Sequence, residues 1–192
     1  VNVSLLENDG KYTIDFDALE SAAKREDVKL MIFCSPHNPI GRVWTKEELM
    51  RVATICLENN VILISDEIHF DFVMKGHKHT VMSTLSEEIA NNTVVCTAPS
   101  KSFNLGGVQA SNIIIQNEEL RKKFENQLSS NAIFGINTFA YKTCEIVYND
   151  CREWFDELLD VIETNKKLVE DYIKENIPVI KVTPLEGTYL MW

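Results

Sequence analysis

The sequence predicts an α/β fold with a mostly parallel sheet, followed by the start of a smaller α+β domain. Three observations carry this. Short apolar runs alternate with capped amphipathic helices in the first half of the chain. Strand, helix and strand recur within roughly 35 residues, the span of a βαβ unit with parallel strands and a right-handed crossover. Beyond Ile115 the pattern turns helical, and a change near residue 150 divides the chain into 1–150, part of a major domain, and 151–192, the start of a small one.

The elements follow in order. Asp17-x-x-Glu20 is a capping-box pattern and opens a helix through about Arg25. Residues 29–34 (KLMIFC) form an apolar run short enough for a buried strand. Residues 35–41 hold two prolines and a glycine and read as a loop. Thr45-x-x-Glu48 is a second capping box, opening a helix to about Asn59 with Leu49, Val52, Ala53, Ile55 and Cys56 on one face. Residues 61–65 (VILIS), 93–96 and 111–115 are the next three strands. Helices are expected over 118–130, 138–149 and 153–176, the last ending before Pro178. Residues 179–183 and 188–192 read as two strands around a Pro184-Leu185-Glu186-Gly187 turn.

Composition narrows the function classes. The chain has 192 residues, an ordinary globular balance and a formal net charge of −10. That charge argues against broad binding to nucleic acid or to an anionic membrane. Its five cysteines, Cys34, Cys56, Cys96, Cys144 and Cys151, form no tight pairs, and the first three sit in apolar patterns. They read as reduced thiols in a reducing compartment, the cytoplasm. The sequence shows no signal peptide and no apolar run of membrane-spanning length. Two glycosylation sequons, at Asn2 and Asn91, are taken as chance matches. Val1 replaces a starting Met and Trp192 closes an alternating run, so the chain is expected to be a segment of a longer protein.

Three polar residues stand just past the ends of apolar strands: Asn38, Asp66 28 residues later, and Lys101 35 residues after that. In a parallel sheet such positions converge on one crevice. An amine, a carboxylate and an amide are the groups needed to hold a pyridine-ring aldehyde: a Schiff-base former, an acid for the ring nitrogen and a donor for the ring oxygen. Each has a plainer reading. Asp66 would equally serve as a helix cap or in a structural ion pair, Lys101 as a solvated loop lysine, and Asn38 as a turn residue. His69 either contacts such a ring or is a structural histidine. Ser100, Ser102 and nearby backbone amides flank Lys101 and suit a phosphate. Arg42 binds an anion or pairs with an acid. A metal site built from Asp66, Glu67, His69, Asp71, His77 and His79 competes. However, Asp66-x-x-His69-x-Asp71 does not put three side chains on one strand face, no cysteine joins, and Lys101 would be idle. His77 and His79 read instead as a polar surface loop.

Four blocks occur in order: Ser35-Pro36-His37-Asn38-Pro39-Ile40-Gly41-Arg42-Val43-Trp44, Ser65-Asp66-Glu67-Ile68-His69, Ala98-Pro99-Ser100-Lys101-Ser102-Phe103-Asn104-Leu105 and Glu186-Gly187-Thr188-Tyr189-Leu190. Together they resemble the fold-type I, class I/II aminotransferase-like enzymes that use pyridoxal 5′-phosphate, with the MalY/PatB-type carbon–sulfur β-lyases as the nearest subgroup. The resemblance implies a three-layer αβα sandwich, a small-molecule amino-acid substrate and a homodimer. It implies that Lys101 carries the cofactor as a Schiff base and shuttles a proton, that Asp66 keeps the ring nitrogen protonated, and that Asn38 contacts the ring oxygen. Ser100, with Thr97 or Ser102, would contact the phosphate. Two departures point from transamination towards β-elimination: His69 stands where the aminotransferase pattern has Tyr, and Gln109 where it has a phosphate-binding Arg. The family's glycine-rich phosphate segment would precede Val1, and its carboxylate-binding arginine would follow Trp192. A regulatory role for the same fold is the alternative from another class.

Overall fold

The computed structural model describes residues 1–192. Its centre is a four-stranded sheet built from β3 (Leu30–Cys34), β4 (Ile62–Asp66), β5 (Thr93–Thr97) and β6 (Asn112–Ile115), side by side in that order. The first three are mutually parallel and β6 runs antiparallel to β5, the mostly parallel sheet that the sequence predicts. The register aligns Cys34, Asp66, Cys96 and Ile113 in one row across the sheet. The strands β3 to β5 therefore end together, at one edge.

Between the strands the chain crosses over in helices. Helix α1 (Phe16–Ala23) precedes β3, α2 (Lys46–Glu58) joins β3 to β4, and α3 (Glu87–Asn91) leads into β5. The Thr45 capping box forms in full: Thr45 Oγ1 accepts from the Glu48 N–H and the Glu48 carboxylate accepts from the Thr45 N–H. Leu49, Val52, Ala53, Ile55 and Cys56 are all buried, as their spacing predicts. They pack with Phe33, Leu63, Trp44, Met82 and Ile89 into one core on one face of the sheet. On the opposite face Leu30 and Ile32 of β3 are exposed, Ile32 by 70%. These residues thus build the helical layer on one side of β3 and leave the other side bare.

The second half is helical. A turn, α4 (Pro99–Ser102), follows β5; then come α5 (Glu118–Ser130), α6 (Thr138–Asp150) and α7 (Arg152–Asn176). Their bounds lie within a residue of the expected ones. Three expectations are corrected. The cap of α1 is Asp15, whose carboxylate accepts from the Ala18 N–H at 2.9 Å; Glu20 pairs with Lys24 instead of closing a box with Asp17, and the helix ends at Ala23. A hairpin of β1 (Leu6–Asn8) and β2 (Lys11–Thr13) precedes it, turning on Asp9 and Gly10, both with positive φ. Residues 179–183 and 188–192 are not strands: among backbone hydrogen bonds one, from the Thr183 N–H to the Trp192 carbonyl at 2.8 Å, links the two, and no ladder forms.

The 184–190 segment bonds elsewhere. Glu186 and Gly187 donate to the Gly41 carbonyl, Thr188 donates to the Phe72 carbonyl, and Met74 donates to the Glu186 carbonyl. The segment is thereby wedged between the loop after β3 and the loop after β4. Gly187 is what lets it fit. A Cβ there would lie 2.7 Å from Val43 Cγ2 and 2.9 Å from the Phe72 carbonyl oxygen, and a backbone atom cannot swing aside. Gly187→Ala should therefore destabilise the protein by about 1–3 kcal/mol, the range for overpacking a tight site. Urea unfolding checks this; an unchanged midpoint would show that the wedge is loose.

Candidate active site

Because β3, β4 and β5 are parallel and in register, the segments that follow them leave the sheet at one edge. Strand spacing of about 4.8 Å puts the three departure points within about 10 Å. Asn38 is four residues beyond the shared row, Asp66 lies in it, and Lys101 is five residues beyond it. The three predicted groups therefore follow strands that end at one edge of the sheet.

Asp66 is half-buried. Its Oδ1 accepts from the Ile68 N–H at 3.2 Å, a turn contact that fixes the carboxylate, and no basic side chain pairs with it. The structural ion pair is thus not what this acid makes. Lys101 is exposed on α4, also without a carboxylate partner. Its charge still reaches His69: burial pushes the His69 imidazole below its ordinary value, Lys101 pushes the same way, and Asp66 opposes. Acid and amine therefore both act on the imidazole, and burial with Lys101 disfavours its protonation.

His69 is 2% exposed and sits against Tyr189 and Phe72, with ring centroids 5.4 and 6.2 Å away. Neither of its ring nitrogens has a partner in the protein. A buried polar group left so costs about 1–3 kcal/mol. Ser35 Oγ and His37 Nδ1, on the loop that carries Asn38, are also buried and unpartnered. Asn38 itself is exposed; its N–H points to Cys34 Sγ at 3.5 Å.

The groups flanking Lys101 divide. Ser100 is half-buried at the crevice and makes no side-chain hydrogen bond, and Thr97 Oγ1 accepts from Asn112 Nδ2 at 3.4 Å. Ser102 is a correction. It is fully buried and donates to Asp71 Oδ2 at 2.5 Å, so its hydroxyl hydrogen is spent inside the protein and is not offered to a phosphate. Arg42 is also committed: its guanidinium bridges Glu48 and Glu186 at 2.9 and 3.0 Å, donates to the Tyr12 carbonyl, and lies 4.7 Å over the Trp44 ring. It ties the wedge to the loop rather than waiting for an anion.

The metal constellation comes apart for a simple reason. Strand alternation sends Asp66 and Glu67 to opposite faces. Glu67 is buried on the core side, where Oε1 accepts from Ser65 Oγ and the Met82 N–H, and Oε2 meets His79 Nε2 at 2.7 Å. His79 is a second correction. Its side chain is only 8% exposed and locks the 70–81 loop to the end of β4, while His77 stays on the surface. Asp71 faces Ser102. These pairs, and the contact of Tyr189 with His69, escaped the sequence reading because no local spacing marks them.

Comparison with known proteins matches this arrangement. The model of the family described as aminotransferase class I and II matches residues 2–192. The chain is 43% identical to cystathionine beta-lyase PatB of Bacillus subtilis over 98% of its own length and 49% of that protein's. It is 30% identical to protein MalY of Escherichia coli, over 93% of this chain and 45% of that one. Among solved structures, cystalysin from Treponema denticola, which contains a pyridoxal 5′-phosphate cofactor, superposes with a TM-score of 0.98 at 45% identity, over 100% of this chain and 49% of that one. A C-S lyase from Staphylococcus hominis bound to the same cofactor gives 0.93 at 34% identity, over 100% and 48%. The chain spans about half the length of the curated relatives it matches. With that family's model covering all but its first residue, and with the sheet edge built as described, the chain belongs to the class I and II aminotransferase family.

Proposed function

We propose that the whole protein is a pyridoxal 5′-phosphate-dependent carbon–sulfur β-lyase, acting on an amino acid such as cystathionine to give pyruvate, ammonia and a thiol. The observation that carries it is the sheet edge: an unpaired amine, an unpaired carboxylate and a buried histidine with two unpartnered nitrogens follow the ends of its parallel strands. The residues suit the cofactor. Lys101 is the attachment point, Asp66 the partner of the ring nitrogen, and Asn38 and His69 donors toward the ring oxygen. Ser100 and Thr97 would contact the phosphate.

Bound there, the cofactor supplies an electron sink for the pair left at the substrate α-carbon. The chain's own work is proton handling. Lys101, once displaced by substrate, takes the α-proton as a free amine. Asp66 holds a proton on the ring nitrogen by ion pairing, which sustains the sink. His69, whose protonation burial disfavours, would donate through a ring N–H. A thiolate on the β-carbon would then leave with the proton that Lys101 took, and water would convert the remaining fragment to pyruvate and ammonia.

Further lines belong to the same reading. The division into 1–150 and 151–192 is supported by the break between α6 and α7 at Cys151. A homodimer is supported by Phe134 and Phe139, each more than four-fifths exposed, an apolar surface for a second subunit to cover. The five cysteines are all free, which suits the cytoplasm, and no helix is long and apolar enough to cross a membrane.

Transamination is the second reading, favoured by relatives such as an aspartate aminotransferase of a Bacillus strain, 29% identical to this chain. The two part after a shared carbanion. With cystathionine, the whole protein is expected to release pyruvate without any added keto acid. Turnover that requires a keto-acid acceptor would assign it to transamination, and no pyruvate at saturating substrate sinks the lyase reading.

A further inference from the structure

Lys101 sits on a single turn. Helix α4 has four residues, too few to be stable through its own hydrogen bonds. The amine is exposed and makes no ion pair. Something else must fix where it points, because attack on a carbonyl carbon requires a narrow approach.

The next two residues are the anchors. Phe103 packs into an aromatic cluster, with ring centroids 5.4 Å from Tyr148, 6.2 Å from Trp154 and 5.6 Å from Phe155. Ser102 is fully buried, and its Oγ donates to Asp71 Oδ2 at 2.5 Å across 31 residues of sequence. A short hydroxyl-to-carboxylate bond is charge-assisted and therefore strong, more so away from water. Asp71 lies five residues after Asp66 and two after His69, in the turns that the Glu67-to-Phe70 and His69-to-Phe72 backbone bonds close. The Ser102–Asp71 bond thus joins the turn that carries the amine to the turn that carries the acid and the imidazole. Burial pushes the Asp71 carboxyl above its ordinary value, and the Ser102 hydroxyl and the nearby Arg152 and His79 oppose that shift. Nothing in the proposed chemistry uses Asp71 directly.

We propose that Asp71 is a positioning residue that, through Ser102, sets the distance and orientation of Lys101 relative to Asp66 and His69. This rests on the reading of Lys101 as the cofactor lysine. Its effect belongs in the step where Lys101 bonds to the cofactor, before any substrate is present.

The test uses the whole protein stripped of cofactor. Pyridoxal phosphate is added, the reaction is stopped with borohydride at timed intervals, and the reduced adduct on Lys101 is counted by mass spectrometry. Thermal unfolding of each variant is recorded beside it. Asp71→Ala and Ser102→Ala should each slow adduct formation by about tenfold or more, a modest misplacement by the standard of about 100-fold per ångström. The double variant should be no slower than the worse single one, since both remove one bond. Ser102→Thr and Asp71→Asn keep a donor and an acceptor and should stay within about threefold of the parent. Should the alanine variants fail to fold, Asp71→Glu keeps the charge and moves the carboxylate by one methylene, and it should also be slowed. Alanine variants that fold and react within about twofold of the parent overturn the proposal, as does an unimpaired Asp71→Glu where they do not fold. No adduct on Lys101 in the parent overturns the underlying reading itself.

Discussion

Replacing Lys101 with alanine abolishes turnover of the whole protein, by at least about 10⁴-fold, because one amine is asked to do two things. It anchors the cofactor and it moves the substrate's α-proton. The ion-paired lysines offer no substitute for it. Lys75, Lys142 and Lys167 each hold a carboxylate within 2.8 Å. They are solvated ion pairs, which contribute little and leave no free amine at the sheet edge. Lys101 alone follows the row of Cys34, Asp66 and Cys96 on a parallel strand and is felt by His69. The effect should be chemical and not structural: the side chain is exposed and unbonded, so the variant should unfold at the parent's temperature. Two measurements decide it, initial rates and the mass of the borohydride-reduced protein. Residual activity above about one per cent would place the amine elsewhere, since losing a proton-transfer group alone is worth about 10²–10⁴-fold. So would a reduced adduct that survives in Lys101→Ala.

Much of this site was legible before any coordinates, and the reason is local. A strand's end is marked by where its apolar run stops, and parallel strands turn a list of such ends into one place. Asn38, Asp66 and Lys101 needed nothing more. The capping box at Thr45 and the helix over 118–130 were equally local, since cap and periodicity lie within a few residues of each other. The failures have different causes. Asp9-Gly10 is a strong hairpin signal, but its strands are three residues long and mostly exposed, so no alternation flanked it. Asp15 and Asp17 compete for one cap, and a motif match favoured the one whose box partner turned to Lys24 instead. The alternation in 188–192 promised a strand, but a strand exists only beside another. Ser102–Asp71, Glu67–His79 and Arg42–Glu186 are long-range polar pairs, the last across 144 residues, and nothing in the neighbouring sequence encodes a partner that far away. Ser102 shows the consequence. Its composition suited a phosphate, and its burial gave it to Asp71.

Asp66→Ala should also slow turnover severely, though less than losing the lysine, and for a reason that the geometry separates from stability. The carboxylate makes one protein hydrogen bond, to the Ile68 N–H at 3.2 Å, and it has no ion-pair partner. Removing it therefore costs the fold about 1 kcal/mol, the usual net value of such a bond. The same removal takes the counter-charge from the ring nitrogen. An opposite charge within about 4–6 Å shifts a titrating group by about 1–3 units, and each unit is about 1.4 kcal/mol of preference for the protonated, electron-accepting ring. Slower α-proton removal by about 10- to 10³-fold follows if that preference is expressed in full at the carbanion. Cofactor attachment should survive, because Lys101 is untouched. Lys101→Ala and Asp66→Ala thus make opposite predictions for one observable: the reduced adduct is absent in the first and present in the second, while turnover falls in both. Exchange of the substrate α-proton with deuterated solvent measures the step directly. Exchange at the parent's rate in Asp66→Ala would remove the acid from the site, and the unpartnered nitrogens of His69 would then need another explanation.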